Sequence, residues 1–199
     1  MPEKRMMFTG WSMQGILAGR KIETRRPADK PPRYAVGDMI VILERWRIAS
    51  WKERIAPVVH IEYEADSLTR RVNAHAPAGN WWFRMWEQSR RELRAANVPT
   101  GADGCFDWDA LHFGFRWRLP RYLPTACARP ERLTVTAVHA EPLHAITLNG
   151  CIAEGVPWNL PDPMATYRSV WEGIHGPGSW RKNPDVYVYA FTNPFEKGA

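Results

Sequence analysis

The sequence is poor in cysteine, and the cysteines it has are not spaced to bind metal. Cys105, Cys127 and Cys151 stand more than 20 residues apart, without a CxxC pair and without histidine at zinc-finger spacing. A disulfide framework is not needed either, because a chain of 199 residues buries roughly 70% of its unfolded surface in its own core. We therefore expect no metal site, and cysteines that serve as small buried hydrophobes in a reducing compartment.

Motifs of common cofactor-dependent enzymes are also missing. The sequence contains no GxGxxG, P-loop, HExxH or GxSxG pattern. Dinucleotide cofactors, nucleoside-triphosphate hydrolysis, zinc proteolysis and serine hydrolysis therefore lose their main sequence support. The expectation is a protein without a nucleotide cofactor or any other cofactor.

Long hydrophobic runs are absent, although 45% of the residues are hydrophobic. Proline and glycine interrupt the uncharged stretches before they reach the length of a membrane span. Residues 1–10 have no apolar stretch of signal-peptide length. The sequence thus predicts no membrane partner and a cytoplasmic location.

Positive charge is what the sequence has in excess. Lysine and arginine number 27 against 21 aspartates and glutamates, and residues 1–34 hold eight basic side chains against three acidic ones. A local basic excess attracts anionic partners and is common in nucleic-acid binding. Among the 11 tryptophans, rings exposed beside arginines would offer surfaces on which bases stack. The alternative is a solvated basic face, with the tryptophans in the core.

Hydrophobic periodicity predicts an α+β protein. Strands are expected at 39–43, 57–63, 133–138 and 186–191, and helices are expected to begin at Ser12, at Thr147 and at Asp162 or Pro163. Short strands with few helices favour a small mixed β-barrel over a parallel sheet. We expect a single domain over residues 1–199, with a helical insertion at about 66–115 that contains an amphipathic helix over 81–97.

One segment carries a family resemblance. Residues 15–27 read GILAGRKIETRRP, with Gly19, Lys21 and Arg26 at the positions of the GxKxxExR signature. The chain resembles the ASCH domain family, small barrels of the PUA-like superfamily, and the resemblance implies that fold with short flanking helices. Thr24 stands where that signature has glutamate. The same ILAGRK run followed by threonine is similar to the bacterial amidohydrolases that remove the acetyl group of acetylcytidine.

That resemblance implies a catalytic set and a substrate. The set is Lys21, Thr24 and Glu154, the last in the run Cys-Ile-Ala-Glu-Gly-Val, and the activity is a metal-independent amidohydrolase acting on acylated cytidine. Threonine becomes a nucleophile only when a base takes its proton, and a lysine can do so when desolvation lowers its pKa. Residues 21 and 24 would point to opposite faces of a regular strand, so a turn near Gly19 must bring both to one cleft.

A second similarity, to ASCH-like proteins encoded by bacteriophages, covers most of the chain. It includes LAGRKxxTRRP, the LERW run at 43–46 and the tryptophan at 180. From these segments we expect that a nucleoside or RNA, including one with a modified base, contacts Arg20, Arg25, Arg26, Glu44, Trp46 and Trp180. Glu44 is expected to pair with Arg26 or Lys21 because a carboxylate beside so apolar a run needs a partner.

Interpretations in which the same residues have no catalytic or base-stacking role stay open. Lys21, Arg25 and Arg26 could form only a phosphate-facing basic stretch, Glu154 could be a solvated residue near a helix end, and the two tryptophans could be core residues. Two other functions are compatible with the family. One is a non-catalytic RNA or modified-base binding module, and the other is an RNA-cleaving ASCH protein whose cations stabilise the transition state.

Overall fold

The computed structural model describes residues 3–52, 58–73, 81–109 and 115–195. Within these ranges the chain is a mixed α+β protein with nine strands and four α-helices, which confirms the predicted class. In chain order the elements are β1 (Lys4–Met7), α1 (Gly10–Leu17), β2 (Glu23–Pro27), β3 (Met39–Leu43), β4 (Trp46–Lys52), β5 (Val58–Tyr63), β6 (Thr69–Asn73), α2 (Trp81–Ala95), β7 (Asp107–Asp109), β8 (Arg132–Pro142), α3 (Leu148–Ala153), α4 (Pro163–His175) and β9 (Asp185–Thr192). None of these helices has the length and apolar character that a membrane span requires.

The contacts divide the chain into two compact units. The first unit is formed by Met1–Ile42 and Pro130–Ala199, and the second unit by Leu43–Arg129. The predicted insertion at 66–115 lies inside the second unit, which begins before residue 66 and ends after residue 115. The single-domain assignment stays a prediction.

The first unit is built on a five-stranded sheet in the order β1-β3-β8-β9-β2. The long strands β8 and β9 pair antiparallel at its centre, with an irregularity between Val135 and Ala137, and β9 also pairs with β2. Among the described residues the order is open, with β1 and β2 at the edges, so the predicted closure into a barrel is not confirmed. Helices α3 and α4 pack on β9 through a core that includes Cys151, Tyr167 and Trp171.

Local capping signals account for the helices of the first unit. Thr147 accepts a hydrogen bond from Gly150 N at the start of α3, and Asp162 accepts one from Ala165 N at the start of α4, as predicted. For α1 the predicted cap is wrong. Thr9 is the N-cap and accepts a hydrogen bond from the backbone N–H of Ser12, which lies inside the first turn. The side chain of an N-cap residue accepts a hydrogen bond from the backbone N–H two or three residues further along the chain, and in α1 that N–H belongs to Ser12.

The second unit contains the four-stranded sheet β6-β5-β4-β7 and the helix α2. The amphipathic pattern predicted α2, which ends at Ala95, two residues before the expected end. Strands β4, β6 and β7 were not predicted, because charged and polar side chains obscure their alternation. In β4, for example, Arg47 lies opposite Glu62 of β5 and pairs with it at 2.7 Å. Such cross-strand ion pairs become visible only once the register is known.

Candidate functional site

The turn between α1 and β2 places Lys21 outside regular strand geometry. Gly19 adopts a φ of 73°, a conformation that favours glycine, and Lys21 N donates to Gly15 O at 3.1 Å. Ile22 N then donates to Ala153 O at 2.8 Å, which ties the turn to the end of α3. This is the turn that the spacing of Lys21 and Thr24 required. Lys21 therefore precedes β2, whereas Thr24 lies on it.

The Lys21 side chain is buried, with 1% of its surface exposed. Its Nζ donates to the backbone oxygen of Glu154 at 2.9 Å and also to the carboxylate Oε2 of the same residue. Its stem lies against two glycines. A Cβ at Gly15 would stand 3.2 Å from Lys21 Cβ, and one at Gly155, whose φ is 102°, would stand 3.1 Å away. A side chain at either position would crowd the Lys21 stem, and at Gly155 the positive φ also disfavours any other residue.

Glu154 caps the C-terminus of α3 and is 4% exposed, so the interpretation as a solvated helix-end residue is wrong. Besides Lys21 Nζ at Oε2, its Oε1 accepts hydrogen bonds from the backbone N–H of Arg25 and from the Tyr167 hydroxyl at 3.2 Å. The Arg25 guanidinium lies 3.6 Å from Oε1. A buried carboxylate with this many donors is held in one orientation.

Burial lowers the pKa of Lys21 below its usual value of 10.5, although Glu154 acts to raise it and Arg26 and Arg25 act to lower it further. Burial also raises the pKa of Tyr167, so its hydroxyl stays protonated and donates to Glu154. An amine whose charged form is disfavoured by burial gives up its proton more readily than an exposed lysine does.

Thr24 and Glu154 line the same small cavity, of about 50 Å³, whose wall also includes Trp11, Arg26 and His175. Thr24 is 4% exposed, and no hydrogen bond of its hydroxyl is found among the residues that the structure describes. Lys21 does not line the cavity and reaches it through the Glu154 carboxylate. The volume accommodates a group of a few heavy atoms, such as an acetyl group, and not a whole nucleoside.

Helix α4 contributes cavity residues that the sequence interpretation missed. Tyr167, Trp171 and His175 follow one another at intervals of four and all line the cavity. The His175 ring lies 4.0 Å from that of Trp171, and partial burial together with Arg26 lowers the pKa of His175. Their helical spacing of i, i+4 and i+8 is the sequence signal that places them on one face of α4.

The three candidate arginines differ in what they contact. Arg25 is 7% exposed and committed to carboxylates, with Nε donating to Glu141 at 2.9 Å and Nη1 to Glu23 at 3.3 Å. Because these carboxylates occupy its N–H groups, the Arg25 guanidinium has few donors left to bind a phosphate. Arg26 donates to Met7 O at 2.8 Å and lines the cavity, while Arg20 is exposed. The basic stretch is thus only partly a surface feature.

Glu44 is in the second unit, 1% exposed, and paired with Arg129. Arg129 donates to Glu44 through Nε and Nη2, and to Asp66 at 2.7 Å and 3.0 Å. The expected pairing of Glu44 with Arg26 or Lys21 is therefore wrong. The physical reason is that Arg129 lies within hydrogen-bond distance of Glu44, and its planar guanidinium donates to Glu44 and Asp66 at once.

The two candidate tryptophans are both involved in packing. Trp46 is 2% exposed within the second unit. Trp180, in the first unit, is partly buried against the core, with its ring 4.9 Å from that of His144 and edge-on to Tyr167 at 6.1 Å. These contacts agree with the core interpretation that the sequence left open.

Comparisons with protein-family models, curated proteins and solved structures found no match. In the described part of the chain, no group of three or more histidine, cysteine, aspartate or glutamate side chains is arranged to hold a metal ion. The geometry of the cavity is therefore the main basis for a functional proposal.

Proposed function

We propose that the protein is an amidohydrolase that removes an acyl group from the exocyclic amine of cytidine, with Thr24 as the nucleophile. One observation carries the proposal. Thr24 lines a cavity of acyl-group size together with Glu154, whose buried carboxylate accepts a hydrogen bond from a lysine of lowered pKa. A hydroxyl, a proton acceptor and a bounded space are the elements that acyl transfer requires.

The reaction would proceed in two steps. Thr24 Oγ1 attacks the acyl carbonyl carbon, and its proton passes to the Lys21–Glu154 pair and from there to the exocyclic nitrogen, as the carbon–nitrogen bond breaks and cytidine leaves. Water then attacks the threonine ester, the carbon–oxygen bond breaks, and acetate leaves as the hydroxyl regains its proton. The two steps balance as hydrolysis of one amide bond.

The geometry favours different roles for Lys21 and Glu154 in proton transfer. Because Glu154 lines the cavity and Lys21 lies behind it, the carboxylate is the group that exchanges protons with Thr24 and the leaving amine. Lys21 holds the carboxylate in place and, through its lowered pKa, takes up or returns the proton. This corrects the expectation that Lys21 and Thr24 reach one cleft and that the lysine acts directly on the threonine, because Lys21 does not line the cavity.

The proposal extends to the fold and to the position of the substrate. The first unit brings together α1, the Lys21 turn, β2 and β9, and we assign to it the PUA-like barrel that the ASCH resemblance implies. The acyl group enters the cavity, and the cytosine ring stays outside it because the volume is too small. An experimental structure in which β1 and β2 remain unpaired edges would argue against the barrel.

The test is acetate release from acetylcytidine by the purified protein. We expect turnover by the wild type, reduced turnover by Thr24→Ser, and only slight residual turnover by Thr24→Ala. Thr192→Ala is the matched control, because Thr192 is an exposed threonine on β9 of the same sheet, and it should retain full activity. Full turnover by Thr24→Ala would exclude the nucleophile, and no turnover by the wild type would reject the amidohydrolase.

A non-catalytic RNA or modified-base binding module is the second candidate. Its support is the exposure of Arg20, Lys30 and Arg33 in the basic N-terminal segment. Binding of single-stranded RNA should then weaken with salt, and Arg20→Ala should reduce the slope by about one unit. Arg25→Ala should not reduce it in this way, because that guanidinium is occupied by carboxylates.

A further inference from the structure

The second unit contains a much larger cavity than the first. Its volume is about 850 Å³, and it is bordered by α2, by the start of β4 and by residues 116–124. Ligand pockets for small molecules and cofactors commonly measure about 300–1,000 Å³. No step of the proposed hydrolysis takes place in this cavity, so its ligand has to be inferred separately.

The cavity is positively charged. Arg84, Arg116 and Arg118 line it, and its described lining includes no aspartate or glutamate. Glu92 lies behind the wall and pairs with Arg116 at 3.3 Å and with Arg118 at 3.4 Å. One carboxylate thus faces two of the three guanidiniums, and Arg84 is exposed on α2. The remaining positive charge favours an anionic ligand.

Aromatic rings border the same space. Tyr122 is 61% exposed, and Trp117 is half-buried with the guanidinium of Arg47 lying 4.6 Å from its ring. Exposed aromatic rings between arginines are the surfaces on which nucleic-acid bases stack. A bare anion would leave these rings uncovered, and a neutral apolar molecule would leave the arginines without a partner.

We propose that this cavity binds a nucleotide, with its base stacked on Trp117 or Tyr122 and its phosphate held by Arg84 and Arg116. The nucleotide is either free or one unit of a single strand of nucleic acid, since both present a base and a phosphate. The site is separate from the acyl-group cavity, and it requires neither an acylated base nor Thr24.

The test measures binding of two probes to the full chain at low salt. One probe is cytidine monophosphate, followed by calorimetry, and the other is a fluorescein-labelled single-stranded oligonucleotide, followed by anisotropy. Arg84→Glu should weaken binding at least tenfold. Arg94→Glu is the matched control, since Arg94 is an exposed arginine on the same helix, outside the cavity lining, and the change in net charge is identical. Trp117→Ala should weaken binding about tenfold through lost stacking.

The outcomes separate the sources of the ligand. Tight binding of cytidine monophosphate supports a free nucleotide, and binding of the oligonucleotide alone supports a unit of a single strand. Equal weakening by Arg84→Glu and Arg94→Glu, or binding of neither probe, would overturn the proposal. The cavity residues named here take no part in the proposed hydrolysis, so a failure of the hydrolase assay leaves this result unaffected. A thermal unfolding curve for Trp117→Ala shows whether that variant is folded, and Arg84→Glu tests the site independently of it.

Discussion

Each unit of the molecule buries a glutamate beside a cation, and the two pairs differ in what the cation can do. In the first unit, burial lowers the pKa of Lys21, which faces Glu154. In the second unit, burial opposes the charge of Arg129, but hydrogen bonds to Asp66 and Glu44 raise its pKa above the usual value. A lysine can exchange a proton, whereas an arginine stays charged.

The two ion pairs also differ in whether their glutamate borders a cavity. Glu154 borders a cavity that it shares with Thr24, whereas Glu44 lines neither of the two cavities described above. Arg129 satisfies two carboxylates with its planar fork of donors, which leaves a closed structural cluster. A buried ion pair is therefore not by itself a sign of catalysis. The type of cation and access to a cavity distinguish the two roles.

The largest expected effect is on the first pair. Lys21→Met should reduce acetate release by about 10²–10⁴-fold, the usual contribution of acid–base catalysis. The Lys21→Met, Thr24→Ala double variant should be little slower than Thr24→Ala alone, because groups that act in one step are not additive. Single-turnover kinetics on acetylcytidine provide the measurement. Multiplicative losses in the double variant would show that Lys21 acts apart from Thr24.

For the second pair we expect a loss of stability. Arg129→Leu leaves Glu44 buried without its partner and should lower the free energy of unfolding by about 3–5 kcal/mol. Replacing both residues, as Glu44→Leu with Arg129→Leu, should recover part of that loss, because no buried charge is then left at position 44. Urea denaturation of the three proteins tests this. A single variant as stable as the wild type would contradict the structural role.

The smallest expected effect is on the pH dependence of stability, which should differ between the Lys21–Glu154 pair and the Glu44–Arg129 pair. Because the pKa of Lys21 is below 10.5 in the folded protein, the unfolded chain binds more protons at this residue between the folded pKa and 10.5, and the contribution of Lys21 to stability rises with pH in that window. This contribution is lost as pH falls through the folded pKa, and its slope is at most about 1.4 kcal/mol per pH unit. Buried groups with raised pKa values, such as Cys127 and Cys151, act in the opposite sense, so the measurement is the difference from the wild type. In urea denaturation up to pH 10.5, Lys21→Met should make the slope of stability against pH less positive than in the wild type, and Arg129→Leu should leave it unchanged.

Local signals made parts of the fold predictable. Thr147 begins α3, and Asp162, Pro163 and Gly176 delimit α4, because caps depend on residues within one turn of the helix end. Strand β1, with the sequence Lys-Arg-Met-Met, was missed because its alternation is weak. Its place in the sheet depends on pairing with β3, which is remote in sequence.

The candidate site divides in the same way. The family resemblance of the run from Gly19 to Arg26 made Lys21 and Thr24 candidates, and their spacing of three residues added only the expectation of a turn. The burial of Glu154 could not be derived locally, because its partner Lys21 lies 133 residues away. Likewise Arg129 reaches Glu44 across 85 residues, which no spacing rule connects.

The sequence by itself determined the α+β class and the caps that begin α3 and α4, because these follow from interactions between near neighbours along the chain. Only the tertiary structure decided which carboxylate meets which cation and which hydroxyl borders a cavity. The physical reason is desolvation. Whether a lysine or a glutamate loses its water depends on the strands and helices that pack around it, and these come from distant parts of the chain.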